Sequence, residues 1–273
     1  MTTSDQRFSQ ALNAWLEQHP GLTQDVSEAV LDGRLCVIKI KKPSLLSRFS
    51  DGVRYLRAAF ISLLCWWGFN ERPSPSVLLR NSVEDETARL LTLHAHRYSV
   101  PEVLHHGPSL LVLEFVGENL PTIIRESSPE QRLIWMDRAA QDLAVFHRAG
   151  FVHGGAQLRN LMVRGEQLTR IDFEENIGEA LSTPLGQAYD VYQMMSSMAG
   201  LRGDQFSEQE RRVLCDRLLS TYLIANPDPR VRALLIRLGQ LFAGMLRYTR
   251  WLLRWIPGRD VRGFLYVSDA LRV

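Results

Sequence analysis

Three polar residues in the middle of the chain have a spacing that could support chemistry. His153 precedes Asn160 by seven residues, and Asp172 follows Asn160 by twelve. The residues between Asn160 and Asp172 predict a short hairpin around Gly165, which would bring the two side chains together. An amide oxygen and a carboxylate oxygen are ligands that Mg²⁺ accepts alongside the phosphates of a nucleotide. The spacing therefore predicts that Asn160 and Asp172 hold a nucleotide-bound metal.

A hairpin and a helix nearer the N-terminus must position any partners of this site. Asp32 and Gly33 form a strong two-residue hairpin signal between two β-rich runs, and the second run contains Lys39. A helix is predicted over 82–96, and Glu86 lies on it four residues before a leucine. Taken alone, this segment favours a surface lysine in a basic run with Lys41 and Lys42, and Glu84 and Asp85 are rivals of Glu86 on the helix.

The rest of the chain predicts strands first and helices afterwards. Val100–Leu104 and Leu110–Phe115 have strand composition, and the second run leads to Gly117, where the chain could turn. Arg132–His147 has helical periodicity and ends just before the His153 loop. A further helix is predicted over Gln187–Met198. This order indicates an α+β protein.

The order of these elements resembles the protein-kinase-like superfamily. The resemblance is greatest to the bacterial branch that includes the lipopolysaccharide core and Kdo kinases, and the chain is also similar to RIO-type and aminoglycoside kinases. It extends from about Val26 to Ala199 and rests on Lys39, Glu86, His153, Asn160, Asp172 and Asp190. It implies a two-lobed α+β fold, with a small N-lobe sheet in 1–116 and a larger helical C-lobe in 117–273, together forming one kinase-like domain.

The resemblance implies ATP and Mg²⁺ as cofactors. Lys39 would reach the α and β phosphates and pair with Glu86, as in the V-A-I-K strand of kinases. The backbone of the hinge, at Glu114 and Val116, would meet the adenine edge.

In the catalytic loop, the resemblance implies that His153 belongs to the H-R-D-x-x-x-x-N motif. Asn160 and Asp172 would hold the metal ions, and Asp190 would support the loop from below.

The sequence departs from the kinase pattern in the groups that act on the phosphate and the acceptor. The first strands contain no G-x-G-x-x-G, Gly155 stands where the catalytic Asp is expected, and Gln157 stands where many kinases have a Lys. General-base assistance typically contributes on the order of 10² to 10⁴ in rate, so its loss would slow transfer without abolishing nucleotide binding. Glu174 or Glu175 could supply a replacement carboxylate or a metal ligand, Glu174 being the first choice, or they could only cap the following segment.

The expected function is ATP-dependent phosphoryl transfer to a hydroxyl of a lipopolysaccharide-type sugar, another small molecule or a protein Ser or Thr. The alternative is a catalytically weak or inactive pseudokinase that binds nucleotide and acts as a regulator or scaffold at the membrane. A third possibility is transfer of another part of the nucleotide, because a site without its usual base need not hold ATP in the usual direction.

Composition excludes several other classes of protein. Lys plus Arg and Asp plus Glu number 32 and 30, so the net charge gives no reason to expect a nucleic-acid partner. Three widely spaced cysteines predict buried thiols in a reducing compartment rather than a zinc site or a disulfide framework. The N-terminus does not have the pattern of a signal peptide, so we expect a cytoplasmic protein.

Two segments could attach the protein to a membrane surface. An insertion of about 44–80 separates Lys39 from Glu86, and its centre, Tyr55–Phe69, is apolar and rich in tryptophan. Val231–Ile256 predicts a long helix with Arg247, Arg250 and Arg254 beside tryptophans and leucines. Both segments are also compatible with helices packed on the protein. Peripheral attachment to the cytoplasmic face of the inner membrane is therefore an expectation that depends on which side of each helix is covered.

Overall fold

A computed structural model describes residues 3–20, 24–41, 47–80, 82–201, 203, 206–253, 267 and 270–271. The helices are α1 Thr3–Gln18, α2 Ser47–Phe69, α3 Pro75–Leu79, α4 Val83–Ala95, α5 Leu120–Glu126, α6 Pro129–Arg148, α7 Ile177–Ala180, α8 Thr183–Ala199, α9 Glu208–Ala225 and α10 Pro229–Leu253. The strands are β1 Gln24–Leu31, β2 Arg34–Lys41, β3 Val103–Gly107, β4 Leu110–Glu114, β5 Glu118–Asn119, β6 Leu161–Arg164 and β7 Gln167–Arg170.

The N-terminal part is built on a four-stranded antiparallel sheet in the order β1-β2-β4-β3. Asp32 and Gly33 turn the chain between β1 and β2, and both have positive φ, 49° and 76°. Such angles match the strand twist in a two-residue hairpin, which explains the Asp-Gly pair. The inward residues of β1 and β2, among them Leu31 and Ile38, pack against Leu12 of α1. The predicted hairpin is therefore confirmed, and it places β2 in the interior of the sheet.

Helix α4 packs beside this sheet and begins at a side-chain cap. The Ser82 hydroxyl accepts a hydrogen bond from the backbone N–H of Asp85 at 3.0 Å, which satisfies one of the N–H groups left open at a helix start. On its inner side, Leu90 belongs to a buried cluster with Phe146 of α6 and Phe173. A single apolar cluster thus joins the N-terminal sheet region to the helical region.

The C-terminal part is mainly helical. Helix α6 begins with a reciprocal capping box between Ser128 and Gln131. Its buried face packs against α8 and α9 in a core that includes Met136, Leu143 and Met194. The short sheet β5-β6-β7 packs against this core. The loop that follows α6 leads into β6. The prediction of an α+β fold with a small sheet region and a larger helical region is confirmed.

The insertion between β2 and α4 lies against the helical part of the protein. Cys65 and Phe69 of α2 pack on a buried cluster that contains Val152. The carbonyl of Gly68 accepts a hydrogen bond from Arg237 of α10. The insertion is therefore not confined to the sheet region from which it departs.

The other face of α2 is exposed. The side chains of Leu56, Leu63 and Trp67 are 70%, 54% and 67% accessible. Within the described residues, no helix is both long enough and apolar enough to cross a membrane.

The second segment that suggested a membrane surface lies partly outside the described residues. Helix α10 extends to Leu253, and Arg247 on it is exposed. The side chain of Arg250 and residues 254–256 fall outside the description.

Several element boundaries differ from the sequence prediction. The apolar residues Phe8, Leu12, Trp15 and Leu16 predict a helix over Arg7–Gln18, whereas α1 begins four residues earlier, at Thr3. Strand β3 begins at Val103 rather than Val100. Pro101 lacks a backbone N–H, so the strand ladder can start only beyond it. Asp172 lies two residues past the end of β7 and not within the strand.

Candidate active site

Lys39 and Glu86 meet inside the protein. Lys39 lies on β2, paired with Leu111 of β4 on one side and with Val26 of β1 on the other. Its Nζ is 2.7 Å from Oε1 of Glu86, and both side chains are buried. A central strand and a capped helix thus fix an amine and a carboxylate in contact, as the resemblance to kinases implied, and Lys39 is not a surface lysine.

Two further carboxylates face the same amine. Oδ1 of Asp172 and Oε1 of Glu174 are each 3.6 Å from Nζ of Lys39. Glu174 also contacts Lys41 at 2.7 Å. Burial alone would lower the pKa of Lys39, but Glu86 and the other two carboxylates outweigh it and raise that pKa. Lys39 is therefore held in its charged form.

The three carboxylates that contact Lys39 also lie close enough together for their oxygens to reach one divalent cation. Single oxygens of Glu86, Asp172 and Glu174 lie within 4.8 Å of one another. Oε2 of Glu86 is buried and has no hydrogen-bond partner among the described residues. Burial raises the pKa of Glu86, and the other carboxylates act in the same direction against Lys39. Hard oxygen ligands and surplus negative charge suit Mg²⁺, which when bound would neutralise charge on nucleotide phosphates.

Asn160 is positioned next to this cluster by the β6-β7 hairpin. The backbone N–H of Ile171, directly before Asp172, donates to the carbonyl of Asn160 at 3.0 Å. The side-chain Nδ2 of Asn160 donates to the carbonyl of Gly155 at 2.8 Å. The amide nitrogen thus orders the loop, and the amide oxygen is the atom a metal would take. Asp172 itself has a positive φ of 68°, a conformation that Asp tolerates better than most residues and that often marks functional sites.

Asp190 of α8 holds the start of the loop. Its two carboxylate oxygens accept hydrogen bonds from the backbone N–H groups of His153 at 2.6 Å and Gly154 at 2.8 Å. Nε2 of His147 lies 3.2 Å from the same carboxylate. Burial would raise the pKa of Asp190, but hydrogen bonds from His147 and from the backbone N–H of His153 lower it overall. The carboxylate therefore stays charged and fixes the loop.

His153 is buried and neutral. Its Nε2 lies 3.1 Å from the carbonyl of Ile171, to which it must donate, so Nδ1 accepts from the N–H of Gly155 at 3.2 Å. The ring lies 4.4 Å from that of Phe173. Burial lowers the pKa of His153 to about 3. These contacts join the loop to the residues around Asp172 and suit a positioning role.

This neutral histidine gives a prediction for stability. The folded pKa of His153, about 3, lies below the ordinary value of about 6.5, so the unfolded chain binds a proton that the folded chain does not. The stabilisation is complete above about pH 6.5 and is lost as the pH falls toward 3, at roughly 1.4 kcal/mol per pH unit. Urea denaturation should give a lower free energy of unfolding at pH 5 than at pH 7. The slope of the free energy of unfolding against pH should be smaller in His153→Asn than in the wild type. Equal slopes for the two proteins would contradict this account.

The two glycines after His153 differ in what they permit. Gly154 has φ +91°, and a Cβ there would lie 2.6 Å from the carbonyl oxygen of Glu175, so a side chain is excluded. A Cβ at Gly155 would meet its nearest neighbour, Nδ2 of Asn160, at 3.7 Å, which is ordinary contact. Gly154 is therefore required by the fold, whereas Gly155 is not.

Arg89 is a central residue that the sequence interpretation missed. It lies on α4, three residues after Glu86, and its guanidinium donates to the carbonyls of Val152 and His153 and to those of Phe173 and Glu175, at 2.6 to 3.1 Å. One side chain thus joins the Glu86 helix to both loops of the site. The signal in the sequence that could have identified Arg89 is its position three residues after Glu86, on the same face of the helix.

The predicted hinge follows β4. Arg164 of β6 contacts Oε1 of Glu114 at 3.0 Å and donates to the carbonyl of Phe115. Val116 is buried, and Gly117 has φ +111°. A Cβ at Gly117 would lie 2.1 Å from the carbonyl of Val163, so only glycine allows the chain to pass this close to β6.

Comparison with known proteins agrees with this geometry. The family model described as RIO domain matches residues 26–180. No curated protein sequence matches the chain. The matched segment covers more than half of the chain and extends from before Lys39 to beyond Asp172. The chain therefore belongs to the RIO domain family, whose activity is kinase-like, ATP-dependent phosphoryl transfer.

Proposed function

We propose that this protein transfers the γ-phosphoryl group of ATP to a hydroxyl. The observation that carries the proposal is the buried contact between Lys39 and Glu86, facing the carboxylates of Asp172 and Glu174. Phosphoryl transfer depends mainly on positioning and on charge stabilisation. A fixed amine beside metal-binding carboxylates provides both.

The chain's own groups divide this work. Lys39 binds the phosphates, and Glu86 holds Lys39 in place. Asp172, with the side-chain oxygen of Asn160, holds Mg²⁺, and Glu174 lies close enough to add a ligand. His153 and Asp190 keep the loop in position.

The proposed function also assigns the adenine contact to the hinge and divides the chain into two lobes. The backbone at Glu114 and Val116 meets the adenine. The N-lobe comprises 1–116 and the C-lobe 117–273.

The acceptor we propose is a sugar of lipopolysaccharide type, with another small molecule or a protein Ser or Thr as the other candidates. The exposed apolar face of α2, with Leu56, Leu63 and Trp67, supports a site of action at the cytoplasmic face of the inner membrane. Tryptophan and leucine on one helix face are typical of interfacial helices. No nucleic-acid partner is proposed.

A second function is supported by a different observation. Gly155 and Gln157 stand where kinases carry the catalytic base and a phosphate-contacting lysine. A protein without these groups could bind nucleotide and act as a pseudokinase regulator or scaffold at the membrane. The two functions share nucleotide binding and differ in turnover.

Mg-ATP should raise the melting temperature of the protein. A ligand that binds only the folded state stabilises it by about 2.7 kcal/mol at 100 times its Kd. Differential scanning fluorimetry with Mg-ATP, and with ATP plus EDTA, measures this effect. Asp172→Asn removes the metal-binding charge and should remove most of the shift.

The matched control is Asp216→Asn, an exposed position on α9, which should retain the full shift. An equal shift for Asp172→Asn and the wild type would refute the assigned metal site. Release of phosphate from bound Mg-ATP then separates the kinase from the pseudokinase.

A further inference from the structure

The Glu175 side chain lies beside the space left by Gly155. A Cβ built on Gly155 would be 3.8 Å from the carboxyl carbon of Glu175 and 3.7 Å from Nδ2 of Asn160. An Asp at position 155 would extend its carboxylate from that same Cβ. The Glu175 carboxylate is therefore close to where the missing carboxylate would lie.

Gly154 makes this approach possible. A Cβ at Gly154 would stand 2.6 Å from the Glu175 carbonyl oxygen and 3.3 Å from its Cβ. The kinase pattern has Arg at this position, and any side chain there would displace the Glu175 backbone. The two consecutive glycines thus act differently. The absence of a side chain at Gly154 lets the backbone of Glu175 approach, and the absence of one at Gly155 leaves space for the Glu175 carboxylate.

The backbone of Glu175 is also fixed from the other side. Arg89 donates to the Glu175 carbonyl at 2.6 Å, and the same guanidinium holds the carbonyl of His153 at 3.1 Å. The glutamate and the catalytic loop are therefore tied to one group on α4. The Glu175 residue remains exposed to solvent, so an acceptor can reach it.

The preceding glutamate faces a different group. The Glu174 carboxylate contacts Lys41 at 2.7 Å and Lys39 at 3.6 Å. It lies in the cluster with Glu86 and Asp172. Glu174 thus belongs to the metal and phosphate side of the site, and Glu175 to the side of Gly155.

We propose that Glu175 is the catalytic base of this protein, in place of the aspartate missing at Gly155. The inference rests on the proposed phosphotransferase function. In the step, the acceptor hydroxyl gives its proton to the Glu175 carboxylate, and the acceptor oxygen forms a bond to the γ-phosphorus of ATP. The bond from that phosphorus to the β-γ bridging oxygen breaks, and ADP leaves with the electron pair.

The test uses water as the acceptor, because hydrolysis of Mg-ATP needs no identified substrate. Glu175→Gln keeps the shape of the side chain and removes its basicity. We expect kcat for phosphate release to fall by about 10²-fold or more, with the general-base range of 10² to 10⁴ as the guide. The KM for ATP should stay within about twofold, because the base does not hold the nucleotide.

Two further variants make the result specific. Glu166→Gln, an exposed position at the β6-β7 turn, is the matched control and should retain wild-type turnover. Gly155→Asp introduced into Glu175→Gln should restore at least about tenfold of the lost rate, because a Cβ at position 155 makes only ordinary contacts, the nearest at 3.7 Å, and the new carboxylate extends from it beside residue 175. Mg-ATP thermal shifts of every variant establish that each is folded and binds nucleotide.

The remaining outcomes overturn the proposal in distinguishable ways. If Glu175→Gln turns over like Glu166→Gln, the phosphotransferase function stands and Glu175 is not the base. If the wild type binds Mg-ATP without releasing phosphate while Gly155→Asp releases it, the site lacks a working base. If neither releases phosphate, the phosphotransferase function and the inference both fail.

Discussion

Lys39→Met should lower the free energy of unfolding by about 3 to 5 kcal/mol, the range for removing one partner of a buried ion pair. The Glu86 carboxylate is buried, and one of its oxygens already has no hydrogen-bond partner among the described residues. Without Lys39, the charges of Asp172 and Glu174 would act on Glu86 with less compensation. Urea denaturation measures the stability, and phosphate release from Mg-ATP should fall below detection.

The companion variant separates stability from activity. Glu86→Gln combined with Lys39→Met removes the unpaired buried charge and should recover most of the lost stability, but no phosphate release. Arg212→Met is the matched control. It breaks a surface pair with Glu208, which typically contributes at most about 0.5 kcal/mol. Recovery of phosphate release in the double variant would show that Lys39 does not bind the phosphates.

Arg89→Met should lower the free energy of unfolding by about 3 to 4 kcal/mol, because hydrogen bonds to a charged group are strong and three of the carbonyls that lose this donor are partly buried. Four carbonyls lose their donor together. Phosphate release should fall by about tenfold or more even at temperatures where the variant is folded, because near-attack geometry depends on the positions of both loops. Urea denaturation and a steady-state assay measure the two effects.

Arg89→Lys provides the sharper comparison. A single ammonium keeps the charge but cannot present the planar fork that reaches four acceptors. We expect it to recover less than half of the lost stability. Arg232→Met, at an exposed position on α10, controls for removal of an arginine from a helix and should be nearly neutral. If Arg89→Lys recovered all of the lost stability, the positive charge alone would account for the contribution of Arg89.

The parts of the fold that local signals determine could be predicted from the sequence. The Asp32-Gly33 turn and the start of the helix predicted over 82–96 each depend on residues close together in the chain. Their positions in the structure agree with those predictions. Turn and cap chemistry is local, which is why it can be recognised without tertiary information.

The contacts that organise the site depend on distant residues and were not predictable in the same way. Arg89 bonds to carbonyls 63 to 86 residues away. Glu174 and Glu175 are neighbours in sequence, and only the backbone conformation after Asp172 determines which one faces Lys41. The sequence interpretation took Glu174 as the first choice for a replacement base, and in the structure its carboxylate contacts Lys41 and Lys39. The close approach that excludes a side chain occurs at Gly154 and not at Gly155.

The position of the insertion has a consequence for the motion of the two lobes. Glu71, in the turn after α2, accepts a hydrogen bond from the backbone N–H of Ser182 at 2.8 Å. Arg80 pairs with Glu179, and its carbonyl accepts from Asn176. Two-lobed enzymes admit and release nucleotide by rotating about a hinge. Here the insertion contacts the helical part of the protein at a second place, so we expect that widening the cleft would break these contacts. Under the proposed function, nucleotide exchange would then depend on movement of α2, the helix that bears the exposed Trp67.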